Sequence, residues 1–120
     1  MRIMELDKHY SLEYLGSISG GDDNFILDMV QTFISNVPEE LNKIKDYMNQ
    51  KNWKEAGNKA HKFASNLLLL EIGNLSDIAI EIEENGKDEV NTEIMPELLE
   101  KLETGCYQII NELKRDFNVY

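Results

Sequence analysis

Apolar residues recur along this chain at three- and four-residue intervals, the period of helices with one buried face. The longest stripe is the last: Met95, Leu98, Leu99, Leu102, Cys106, Ile109, Ile110, Leu113 and Phe117, predicting a helix over about 93–116. Phe25, Ile26, Met29, Val30, Phe33 and Ile34 mark another, with Asp22 or Asp23 placed to accept from its free N–H groups. Asn36-Val37-Pro38 is expected to end that helix. Pro38 suits the first turn of the next, with Glu39 and Glu40 at its positive dipole end and Leu41, Ile44, Tyr47 and Met48 as its stripe. Trp53, Ala56, Ala60, Phe63, Ala64 and Leu67 share one arc of a helix from Asn52 to about Leu70. Gly73-Asn74 is expected to break the chain. Leu75, Ile78, Ala79 and Ile82 predict a further helix, with Asn85-Gly86 as its stop. A short helix at Ser11–Leu15, capped by Ser11, precedes the turn Ser19-Gly20-Gly21-Asp22. No segment alternates in the manner of a strand. The expected fold is all-α: an up-and-down antiparallel four-helix bundle with a short accessory N-terminal helix, one domain over residues 1–120.

Composition narrows the function. The 120 residues suffice for one core. Lys and Arg number 12 against 23 Asp and Glu, a net charge of −11. That argues against nucleic acid and against an anionic lipid surface, both of which need a basic patch. The longest apolar run, Leu67 to Leu70, is far too short to span a membrane, and Met1-Arg2-Ile3-Met4-Glu5 leads into no signal-like apolar stretch. A single cysteine, Cys106, makes no internal disulfide, and with only two histidines it offers little to zinc. A reducing, cytoplasmic setting is expected. Cys106 lies on a core stripe with no histidine near it in sequence, which speaks against a thiol hydrolase. A di-iron bundle needs Glu-x-x-His pairs, but Asn58 stands three before His61 and Leu6 three before His9. His9 carries no motif and is read as surface. No glycine-rich nucleotide loop occurs.

His61 differs. It follows Ala60, so it lies roughly 100° from the centre of its helix's core arc, on the rim. A rim imidazole can have one nitrogen held by neighbours and the other open to solvent, the arrangement a histidine nucleophile needs. Asn58 precedes it on that side, and Ser65 and Leu68 follow.

The stretch W-K-E-A-G-N-K-A-H-K-F-A-S, Trp53 to Ser65, resembles the histidine-containing phosphotransfer (HPt) domain. The likeness extends over nearly the whole chain: Leu15-x-x-Ile18-Ser19-Gly20-Gly21-Asp22, Phe25 and Phe33, Pro38 and Leu41, Asn52-Trp53, Ala60-His61-Lys62-Phe63, and Leu75 to Gly86-Lys87. It implies a helical bundle without an ATP site. Such a bundle carries a phosphoryl group on His61 and passes it between receiver-domain aspartates in a multistep phosphorelay. It implies that Glu83 orients the ring through its second nitrogen, with Glu84 an adjacent competitor. It implies that Lys62 assists with phosphate charge, a solvated lysine being the alternative. The implied partners are receiver domains and a hybrid sensor histidine kinase, with the Mg²⁺ of the chemistry in the receiver and no cofactor here. The family's usual state is a monomer. A docking face is expected from Ser65, Ala64, Leu68, Leu69, Phe25 and Met29. The chain departs from the family in having Ala64 and Ser65 where Lys and Gly are usual, and Glu71 where a helix-ending Gly is frequent. These departures leave a second reading, an adaptor that binds a receiver or kinase without efficient transfer. The sequence leaves open whether the chain is free-standing or part of a larger kinase.

Overall fold

The computed structural model describes residues 10–119, so His9 and the first residues, on which two expectations rest, lie outside it. The described chain is helical and, among these residues, contains no strand: α1 (Glu13–Ser19), α2 (Asp23–Asn49), α3 (Trp53–Leu69), α4 (Gly73–Asp88), a short 3₁₀ turn (Thr92–Ile94) and α5 (Met95–Phe117). The four long helices close a ring of contacts: α2 packs on α3, α3 on α4, α4 on α5, and α5 returns to α2. α1 lies against α2. The core holds Val30, Phe33, Val37, Leu41 and Ile44 from α2, Ala60, Phe63 and Leu67 from α3, Ala79 and Ile82 from α4, and Leu102, Cys106, Ile109 and Leu113 from α5.

The start of α2 is set by Asp22, whose carboxylate accepts from Asn24 N–H (2.9 Å) and Phe25 N–H (3.3 Å). Ser11 Oγ accepts from Glu13 N–H at 3.2 Å, but the helix it precedes runs on to Ser19. Tyr10, itself buried, donates to Asp116 on α5, and Ser11 N–H donates to the Leu70 carbonyl, which fastens the start of the described chain across the bundle.

Three expected boundaries are wrong. The break at Asn36-Val37-Pro38 does not occur: α2 runs unbroken through Pro38. Val30, Phe33, Val37, Leu41, Ile44 and Met48 form one continuous buried stripe across it. An interior proline costs about 3 kcal/mol, whereas each fully buried large apolar side chain gains roughly 1.5–3 kcal/mol, so the stripe prevails. The break at Gly73-Asn74 is also displaced. These residues open α4, and the turn before it is made by Leu70, Glu71 and Ile72. Finally, Gly86 does not stop α4, which continues to Asp88.

The true stops share one device. After α3, Glu71 N–H donates to Leu68 C=O (3.0 Å) and Ile72 N–H to Leu67 C=O (3.1 Å), with Glu71 left-handed at φ 57°. After α2, Lys51 (φ 59°) bonds to Met48 C=O and Asn52 to Tyr47 C=O. After α4, Glu89 (φ 51°) bonds to Gly86 C=O and Val90 to Asn85 C=O. Each is a Schellman closure built without glycine at its left-handed position. A search for glycine therefore misplaces the ends.

Candidate functional site

His61 sits on α3 between buried Ala60 and, two residues on, buried Phe63, which fix the helix's rotation and leave the imidazole on the rim with 63% of its side chain exposed. Its Nδ1 lies 2.9 Å from Oε2 of Glu83 on α4. The same oxygen accepts from Lys87 Nζ at 2.8 Å, one turn further along α4. Glu83 is the sheltered member, its side chain only 14% exposed. The Lys87 ammonium, and after it the His61 ring, hold its carboxyl below the ordinary carboxylate range against an opposing push from burial. An ionised carboxylate only accepts, so the proton between Glu83 and His61 belongs to Nδ1. Nε2 then carries the lone pair, and it makes no hydrogen bond among the described residues.

The approach of α3 and α4 that makes this bond possible is closer than ordinary side chains permit. A Cβ on Gly86 would strike the Trp53 carbonyl oxygen and come within 3.0 Å of Gly57 Cα. A Cβ on Gly57 would lie 2.9 Å from the Glu83 carbonyl oxygen. Gly57 is one turn before His61 and Gly86 three residues after Glu83, so the two glycines make a backbone notch beside the pair. Gly86, expected as a helix stop, is an interhelical contact.

Of the two carboxylates weighed against His61, Glu83 makes the contact and Glu84 is exposed and apart from it. Lys62 is exposed and makes no ion pair among the described residues. Ser65, one turn after His61, is exposed, as is Leu68, and with Tyr14, Leu69 and Glu71 they border a shallow depression. Ile18, one turn after Tyr14 on α1, is exposed too. Leu69 is half-buried and also lines a groove with Met29, Phe33 and Leu15. Phe25 is half-buried against the core one turn before Met29. Ala64 does not belong to this face. It is 6% exposed because its position falls on the core arc, and its carbonyl accepts from Ser76 of α4. Sequence reasoning missed Tyr14 as a neighbour of Leu68. It also gave no role to Lys87, although a Glu four residues before a Lys on one helix is itself a pairing signal.

Cys106 is fully buried, and burial, assisted by Glu103, pushes its thiol up to about 12, which removes it as a nucleophile near neutrality. Among the described residues no helix is long and apolar enough to cross a membrane, and no three metal-ligating side chains are gathered together.

The family model for the Hpt domain matches residues 28–114, which includes His61, Glu83 and Lys87. The chain belongs to the Hpt domain family. Comparison with curated proteins and with solved structures finds no match. Hpt domains are phosphotransfer modules of two-component phosphorelays, distinct from kinases, and work with receiver domains and histidine kinases. The five helices among the described residues accord with that membership.

Proposed function

We propose that this chain acts in the cytoplasm as a monomeric, single-domain phosphorelay intermediate, an up-and-down four-helix bundle that shuttles a phosphoryl group between receiver aspartates through His61. The observation that carries the reading is an exposed imidazole whose Nδ1 is held by a carboxylate while Nε2 has no hydrogen-bond partner among the described residues. In the forward step the Nε2 lone pair attacks the phosphorus of an aspartyl phosphate. The P–O bond breaks, its electron pair stays on the aspartate carboxylate, and a P–N bond forms. The ring keeps its Nδ1 proton and becomes positively charged, facing Glu83. Reversal onto a second receiver restores the neutral ring. Aspartyl phosphate and phosphohistidine are both reactive, so positioning is the domain's main contribution. Mg²⁺ is supplied by the receiver. Lys62, beside His61 in sequence, adds positive charge for the incoming phosphate. Ser65, Leu68 and Tyr14, with Leu69 and Met29 alongside, offer the receiver a small and apolar approach.

One observation favours a second reading. The position three after His61 is a buried alanine, so α3 presents no ammonium there. A domain lacking that charge could bind a receiver and retain it without rapid transfer. The experiment is incubation with a phosphorylated receiver, following acid-labile label. Label on the wild type and none on His61→Gln supports the relay. Tight receiver binding with no transfer supports the adaptor. Label surviving in His61→Gln overturns the assignment of His61.

A further inference from the structure

Glu83 poses a problem for the nucleophile that it orients. A carboxylate 2.9 Å from Nδ1 favours a positive ring, and a ring that takes a second proton does so on Nε2, the atom that must attack. An unscreened carboxylate would therefore orient the imidazole and disarm it together. Lys87 bears on the same oxygen at 2.8 Å.

We propose that Lys87 is a positioning residue for phosphoryl transfer: by balancing the Glu83 charge, it lets the carboxylate fix the Nδ1–H tautomer while Nε2 stays unprotonated and nucleophilic. The proposal rests on the phosphotransfer reading above and concerns the poise of that site. The charged groups on this carboxylate are His61 from α3 and Lys87 from α4 itself; among the described residues α2 and α5 bring none within ion-pair distance. Neighbouring charges are engaged elsewhere. Lys54 pairs with Glu89 at 3.8 Å, and Glu55 accepts from Asn58 at 3.2 Å. Lys62 on α3 and Glu84 on α4 flank the pair in sequence and form no ion pair among the described residues. The Lys87 ammonium is the leading cause of the lowered Glu83 carboxyl. The Lys87 side chain is 51% exposed, so the effect is modest and the variant loses no core packing.

The test uses the whole chain and phosphoramidate as a chemical phosphoryl donor, with no receiver present. Nε2 attacks phosphorus, the donor's P–N bond breaks, and ammonia departs with its electron pair. The rate of acid-labile phosphorylation of His61 is followed against pH, with mass mapping to exclude His9. The rising limb for Lys87→Met is expected to move roughly half a pH unit upward, because more of the ring is protonated at any given pH. Lys87→Arg should restore the wild-type limb. In a Glu83→Gln background the effect of Lys87→Met should be smaller, since an uncharged amide holds the ammonium beside the ring less firmly and needs no counter-charge. A Lys87→Met profile superimposed on the wild type overturns the proposal, as does a shift that persists undiminished with Gln at position 83. Chemical labelling does not depend on receiver docking. Failure of receiver transfer alongside normal labelling would therefore count against the relay and leave the Lys87 result readable by itself.

Discussion

Glu83 accepts from two donors, and which of them was foreseeable shows what a sequence can disclose at the scale of single residues. The rim position of His61 follows from its register against Ala60 and Phe63, and the structure leaves it exposed as that register requires. The Glu83 pairing came from resemblance. Nothing in spacing alone separates it from Glu84, because which carboxylate faces α3 depends on how two helices are rotated. Lys87 joins the same oxygen through simple one-turn spacing. Two outcomes follow. Glu83→Gln keeps an oxygen able to accept from Nδ1 and should retain receiver transfer better than Glu83→Ala, for which a loss of roughly 10–100-fold in rate is expected, measured as initial label transfer. The second concerns pH. Because Glu83 is lowered from the ordinary carboxyl value in the fold, chiefly by Lys87 and then by His61, its contribution to stability is fully present above that ordinary value. It is lost as pH falls through the lower folded value. The urea midpoint of the wild type should therefore exceed that of Glu83→Gln near neutrality, and the gap should close in acid. A gap independent of pH would contradict the assignment.

At the scale of elements, existence was legible and endings were not. Every long apolar stripe became a helix, since burying one face is a property that periodicity reports directly. Boundaries depended on backbone conformations that sequence reports poorly. Lys51, Glu71 and Glu89 adopt the left-handed region at helix ends, where glycine would be the easier choice. Glu71→Gly should stabilise the domain by up to about 1 kcal/mol, less the weak bond its carboxylate accepts from Tyr14 N–H at 3.4 Å, read from thermal or urea unfolding. Conversely, Gly86 was mistaken for a stop because a glycine serving close helix approach looks the same in sequence as one serving a turn. Gly86→Ala should force α4 away from α3. The expected cost is about 1–3 kcal/mol, with loss of the His61–Glu83 hydrogen bond, detectable as a change in the ¹⁵N signals of the His61 ring. Unchanged ring signals in a folded Gly86→Ala protein would show that the notch does not set that bond.

For the whole molecule, the ring of four long helices holds α3 and α4 in register, so that two side chains 22 positions apart in sequence meet at 2.9 Å. The net charge of −11 and the absence, among the described residues, of a membrane-length apolar helix are properties of the whole surface rather than of any residue. The apolar approach beside His61 combines α1 and α3, which is why Tyr14 was invisible until α1 was placed. The most direct measurement of the mechanism is ³¹P and ¹⁵N NMR on histidine-labelled protein after phosphoryl transfer from a receiver. Phosphorus bonded to Nε2 of His61, with Nδ1 still protonated toward Glu83, is the predicted spectrum. Phosphorus on Nδ1, on His9 or on no histidine would contradict it.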